Sequence, residues 1–376
     1  MIYLDNAATT YLYQELEVIL LDYNKNCFFN PSARYHEAIA VSKDIKNARQ
    51  GLASFINCSQ DELTYVSSGT EGNNLALFGT LRKKYSRIIV SATEHASVYN
   101  VALNLKNKGY DVVFCPVNEF GTVNVDEFKQ LINDNTELIS IAHVNNETGG
   151  INDIKKLVKI AKSINNRVIF HSDGVQAFGK IYVDVKDLNV DLYTIAGHKI
   201  HAPKGIAALY HKSNVSINPI IFGGGQENGL RSATENVAGI IAFTKAAEII
   251  LSRLQDNTQK FNSFKKTIIY ALEDFDIKIN TQEYSAPHIL NISINGIKGE
   301  VLLHLLETYG ILISTGSACS TKKGISRIPA AIGLDKNYAE GTIRISFGEQ
   351  NTQEEIDEFI NITKKCIKEL LPYGRK

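Results

Sequence analysis

Seven short runs of apolar, largely β-branched or aromatic residues punctuate the chain between residues 63 and 211. They are LTYV (63–66), RIIVS (87–91), DVVFC (111–115), LISIAHV (138–144), RVIFH (167–171), DLYTIAG (191–197) and IAALYH (206–211). Stretches of helical periodicity separate several of them, such as ASVYNVALNLKNKG (96–109) and INDIKKLVKIAKSIN (151–165); a longer one, ARYHEAIAVSKDIKNARQGLASFI (33–56), precedes the set. Strands that alternate with helices predict α/β layers around a mainly parallel sheet. Strands covered on both faces read as near-continuous apolar runs, and these do. Beyond a helical region near 235–275 the pattern changes. HILNISI (288–294), the helix EVLLHLLETYG (300–310), TIRISFG (342–348) and a final helix from about 353 predict a smaller α+β domain. At 376 residues the chain has room for two domains. The expected division is a large domain over 12–253 and a small one built from 1–11 and 254–376.

Charge and cysteine usage narrow the function classes. Lysine plus arginine and aspartate plus glutamate number 40 each, for a formal net charge of zero. With no basic excess or stripe, no direct nucleic-acid partner is expected. No basic segment followed by an apolar stretch opens the chain and no apolar run reaches membrane length, so the expectation is a cytoplasmic protein without a membrane partner. The five cysteines, Cys27, Cys58, Cys115, Cys319 and Cys366, are scattered and form no C-x-x-C pair. That argues against a disulfide framework and a cysteine-rich zinc site, and no metal is expected.

Several strand ends carry residues with chemistry. VSSGTEGNNLAL (66–77) passes from a strand into a helix, and its free N–H groups with the Thr70 hydroxyl make an anion site or simply a capped helix start. Asp173, in VIFHSDGVQAFGK (168–180), follows a buried strand and either faces a cationic ligand at the sheet edge or caps the next turn. Lys199, in TIAGHKIHAPKG (194–205), is a surface lysine or a sheltered amine nucleophile with a lowered pKa. His95, in SATEHASVYN (91–100), can stack on a flat ring, exchange protons, or only start a helix. AHVNNETGG (142–150) offers Asn146 and Glu147, and FGGGQENGLRSATENV (222–237) offers Arg231 and Thr234. Arg344, in the alternating strand GTIRISFG (341–348), is expected to pair with a carboxylate, the protein's own or a substrate's. A phosphate cup, a strand-end Asp and a Schiff-base lysine together are what pyridoxal phosphate requires. The remaining puzzle is STGSACSTKKG (314–324), which puts Cys319 among small residues and two lysines on a predicted exposed loop.

These pieces, in this order, resemble the class V, fold-type I pyridoxal-phosphate enzymes, and more narrowly the NifS/IscS-type cysteine desulfurases. The resemblance covers essentially the whole chain, through YLDNAATT, SGTEGNN, TEH, HVNNETG, HSDGVQAFGK, GHK, GGGQENGLRSATENV, GSACS and TIRISFG. It implies that Lys199 carries pyridoxal 5'-phosphate as a Schiff base, Asp173 pairs with the ring nitrogen, His95 stacks on the ring and Gln176 contacts the phenolic oxygen. Asn146 would lie near the same side and, with Arg344, help bind the substrate. Thr70 and His198 would hold the phosphate, with Thr234 supplied by a second subunit of a homodimer, and Arg344 would bind the α-carboxylate of L-cysteine. Cys319 would take the substrate sulfur as a persulfide, with Lys322 and Lys323 favouring its thiolate, leaving L-alanine. The sulfur would then pass to an acceptor protein, an iron–sulfur scaffold or a tRNA-thiolation enzyme; the short segment after the last helix leaves both open. Ala196 and Ala233 stand where the family usually carries serine and glycine, and Phe29 where it usually carries glycine. A selenocysteine lyase or other β-eliminating enzyme, and a silent cofactor-binding partner protein, are the alternative readings.

Overall fold

A computed structural model describes residues 1–315 and 326–373. Twelve strands are present among them. Ile2–Tyr3 forms β1; Leu63–Val66, Arg87–Ser91, Asp111–Cys115, Thr136–Ser140, Ile169–Asp173, Leu192–Ala196 and Ala207–His211 form β2 to β8. Ile277–Ile279, Ile289–Ile294, Ile311–Leu312 and Thr342–Ser346 form β9 to β12.

The main sheet has seven strands in the order β2-β8-β7-β6-β5-β3-β4. β8 pairs antiparallel with both of its neighbours, and every other pairing is parallel, as the alternating pattern predicts. The apolar runs are buried for the reason expected: helices such as Gly69–Thr80, Ala96–Asn107 and Ile154–Ile164 cover the sheet. Each of these helices starts at a side-chain cap, from Ser68, His95 and Asp153 respectively.

Several boundaries differ from the sequence reading: the run read as 167–171 is shifted to Ile169–Asp173, so Asp173 is the strand's last residue and does not follow it. The run 138–144 is a strand only as far as Ser140: the Ile141 and His143 N–H groups still reach the His171 and Asp173 carbonyls of β6, but on the other side the Ala142 N–H goes to the Glu94 carboxylate at 2.7 Å. The helical region near 235–275 is two helices, Val237–Ser252 and Leu254–Ala271, parted at Arg253.

A second, antiparallel sheet runs β12-β10-β9, and β1 pairs in parallel with β11. The helix Gln353–Leu370 covers this region, opened by a reciprocal capping box between Thr352 and Glu355. One apolar cluster gathers Ile2, Leu4, Phe261, Phe264, Leu290, Leu302, Ile345, Phe359 and their neighbours. The clusters on the two sides of the main sheet draw almost wholly on residues between 13 and 250. The N-terminal strand is thus packed with the C-terminal third, and the segment after it runs from one region to the other. No helix among the described residues is long and apolar enough to cross a membrane.

Candidate active site

A cavity of about 480 Å³ opens where the carboxyl ends of β2, β3, β5, β6 and β7 meet the small sheet. This edge is where open α/β sheets bind ligands, because the loops there splay apart and helix N-termini converge. Thr70, His95, Asn146, Asp173, Gln176, His198, Lys199 and Arg344 all line it. Thr234 is exposed ahead of the helix Val237–Ser252 and is not among the lining residues. Cys319, Lys322 and Lys323 lie outside the described residues.

Lys199 ends the single turn Gly197–Lys199 that follows β7. Its ammonium donates to the carbonyl oxygens of Ala7 and Ala8, at 2.5 and 2.7 Å. Burial, with Arg344 adding to it, pushes the amine down to about 8. A substantial fraction is therefore neutral, and nucleophilic, near physiological pH.

Asp173 ends β6 and is buried. Its Oδ1 accepts from the Val175 N–H at 3.0 Å and its Oδ2 from Asn73 Nδ2 at 2.7 Å. Asn73 also donates to Ser97 Oγ at 2.8 Å, and Ser97 Oγ is 2.8 Å from His95 Nδ1. The Ser97 N–H points at the same Nδ1, at 3.2 Å, so that nitrogen accepts and the ring proton sits on Nε2. Burial lowers the His95 pKa, which keeps the ring neutral. Carboxylate and imidazole are thus tied through one asparagine and one serine.

Thr70 lies in the first turn of the helix Gly69–Thr80, whose leading N–H groups have no acceptor within the helix. Ser68 Oγ takes the Glu71 N–H at 3.2 Å, so the turn is a capped helix start, and it also borders the cavity. His198 Nδ1 is 3.3 Å from Thr9 Oγ1, and burial, with Lys199 beside it, pushes this imidazole down to about 4.

Arg344 stands in β12, its guanidinium buried against the protein's own acids. Nη2 meets Asp5 Oδ1 at 2.8 Å, Nη1 lies 3.6 Å from Glu147 Oε1, and Nη1 also donates to the Asn146 carbonyl at 2.9 Å. Its Nε is buried without a partner. Burial raises the Glu147 carboxyl even with Arg344 alongside.

Several contributors were not singled out from the sequence. The segment Asp5–Thr10 supplies a carboxylate to Arg344 and two carbonyls to Lys199, and the Thr10 N–H and hydroxyl both reach the His198 carbonyl. YLDNAATT marked the place, but nothing local in it tells which partner each residue meets. Arg327 donates to the Ala92 and Glu94 carbonyls at 2.5 Å each and lies 4.0 Å over the Tyr99 ring, clamping the turn that presents His95. Asn73, Ser97 and His288 complete the set.

The donor set fits pyridoxal phosphate. An amine with a lowered pKa, a buried carboxylate for a ring nitrogen, a flat imidazole and an anion-ready helix start border one cavity of suitable size. Fold and site together define a fold-type I, pyridoxal-phosphate-dependent enzyme. The aminotransferase class-V family profile matches residues 2–359. A cysteine desulfurase IscS of Clostridium botulinum is 37% identical over 98% of this chain and 94% of its own length. A solved NifS-like protein superposes with a TM-score of 0.93 at 32% identity, covering 98% of this chain and all of the other. A structure described as SspA in complex with cysteine superposes with a TM-score of 0.82 at 30% identity, covering 92% of this chain and 99% of its own. The chain belongs to the class-V aminotransferase family, among the relatives named cysteine desulfurases.

Proposed function

We propose that this chain is an L-cysteine desulfurase that uses pyridoxal phosphate to release L-alanine and collects the sulfur as a persulfide on Cys319. The observation that carries the reading is the convergence of Lys199, Asp173, His95 and Arg344 on one cavity, in a chain whose relatives are named for this reaction. When bound, pyridoxal phosphate supplies an electron sink for the charge that develops at the substrate α-carbon. The chain's own groups do the rest. Lys199 would hold the cofactor, and its amine would move the proton at the substrate Cα. Asp173 would be the counter-charge to the ring nitrogen, and His95 would hold the ring, with its Nε2–H available for proton transfer. Thr70, His198 and the helix amides hold the phosphate, with Thr234 contributed by a second copy of the chain in a homodimer. Gln176 would donate to the phenolic oxygen, and Asn146 would help hold that side. Arg344, which lines the cavity, receives the substrate carboxylate. The Cys319 thiolate attacks the substrate sulfur, the carbon–sulfur bond breaks, and its electron pair stays with the carbon that becomes the methyl group of alanine.

The division into a large domain, 12–253, and a small domain, 1–11 with 254–376, belongs to this reading and is supported by the separation of the apolar clusters. So do a cytoplasmic location and a sulfur-acceptor protein, an iron–sulfur scaffold or a tRNA-thiolation enzyme, as the partner. The test is alanine formation from L-cysteine by the cofactor-loaded protein with a reductant present. Parent protein is expected to form alanine and a persulfide, whereas Cys319→Ala forms neither while retaining the bound cofactor's absorbance. Full turnover to alanine by Cys319→Ala would show that the sulfur leaves without that thiol and overturn the persulfide route, whereas pyruvate with sulfide in place of alanine would indicate simple elimination. No turnover by loaded parent on cysteine or selenocysteine would favour the silent binding protein.

A further inference from the structure

We propose that His288 is a positioning residue that locks the side-chain amide of Gln176 with its NH2 group facing the cavity, so that Gln176 acts as a donor to the cofactor's phenolic oxygen. The inference rests on the cofactor reading given under Proposed function and adds a residue to it.

His288 directly precedes β10 and is 1% exposed. Its backbone carbonyl accepts from the Phe347 N–H at 2.9 Å, next to β12, so the small sheet fixes the ring's position. The ring reaches across to the large sheet, where Nε2 lies 3.1 Å from Gln176 Oε1. An amide oxygen has no hydrogen, so Nε2 must carry the proton and donate. Nδ1 is buried with no partner. A bare acceptor nitrogen is tolerable there, whereas a second N–H would be a buried orphan on a cation. Burial holds the ring neutral, and the charged groups facing it, Lys180, Lys265, Lys199 and Arg344, are all positive.

The other end of the amide is fixed independently. Gln176 Nε2 donates to the Ala7 carbonyl at 2.9 Å, the same oxygen that accepts from Lys199 Nζ. One amide hydrogen is committed to Ala7, and the second remains for a ligand in the cavity that Gln176 lines. The shared acceptor keeps that donor beside the amine that carries the cofactor. A flipped amide would set oxygen against the Ala7 carbonyl, and its NH2 would face either the His288 Nε2–H or a ring that has moved its proton to Nδ1, where the N–H is a buried orphan. Removing the imidazole leaves Ala7 as the only brake on the flip.

The test measures equilibrium affinity for pyridoxal phosphate and the pH midpoint of the bound cofactor's absorbance change, in the full chain. Donation to the phenolic oxygen favours its deprotonated form, so loss of the donor raises the midpoint. His288→Leu is expected to weaken cofactor binding about tenfold and raise the midpoint by about one pH unit. His288→Gln, whose Nε2 can reach the same oxygen, is expected to restore both to within about twofold of the parent. In a Gln176→Ala background, His288→Leu should move neither. Unchanged values in His288→Leu, or equal shifts with and without Gln176, would overturn the inference and leave the cofactor reading intact. Failure of the parent to bind pyridoxal phosphate would overturn the reading and the inference with it.

Discussion

Lys199 and Lys265 sit in different regions of the molecule and have the same lowered pKa, about 8, with burial as the leading cause. Lys265, in the helix Leu254–Ala271, donates to Ser285 Oγ at 2.9 Å and to the Ala286 carbonyl at 3.1 Å, and it is not among the cavity-lining residues. Lys199 also makes two hydrogen bonds, both to carbonyls, but at the cavity wall. The contrast separates two things that a depressed pKa confounds. Burial makes an amine neutral, and access to a ligand makes it a nucleophile. Lys180, also pushed down to about 8 by burial and also absent from the cavity lining, belongs with Lys265 on this criterion.

The largest effect should come from Lys199→Ala. Alanine release from L-cysteine is expected to fall by at least about a thousandfold, because under the proposed function the variant lacks both the cofactor's anchor and the base for the Cα proton. A loss of less than tenfold would place Lys199 with the structural lysines.

A smaller effect concerns the rate at which pyridoxal phosphate loads onto the protein. Only the neutral amine attacks an aldehyde, so loading should rise with pH through about 8 and then level off. An exposed lysine would keep gaining toward about 10.4. Rapid-mixing absorbance across this range distinguishes the two curves.

Lys265→Met should do least to catalysis, with alanine release within about twofold of the parent. Its signature lies in stability. A lysine whose folded pKa lies below its unfolded value binds fewer protons when folded, so it makes stability rise with pH between about 8 and about 10.4. Denaturant unfolding across that window should show a shallower rise in the variant than in the parent.

The same contrast explains how much could be read from the sequence. The strand-end rule is local: an apolar run followed by a polar residue marks the edge where ligands bind, and it was enough to pick out Asp173, His95 and Lys199. The small sheet obeys no such rule. Arg344 was read as needing a carboxylate, but Asp5, 339 residues away, and Glu147 are both protein partners, and only the fold brings them together. The Asn73–Ser97 link and the His288–Gln176 contact are equally long-range, and each joins residue types common in any loop or strand. The misjudged end of β5 has the same origin, since the Glu94 carboxylate that captures the Ala142 N–H comes from a distant turn.

The central claim is that Lys199 alone among the buried amines meets the cofactor. Borohydride reduction of the pyridoxal-phosphate-loaded protein, followed by peptide mass mapping, tests it directly. The account predicts a single stable pyridoxyl adduct on Lys199. An adduct on Lys180 or Lys265 in its place, or none on Lys199 despite full loading, would contradict it.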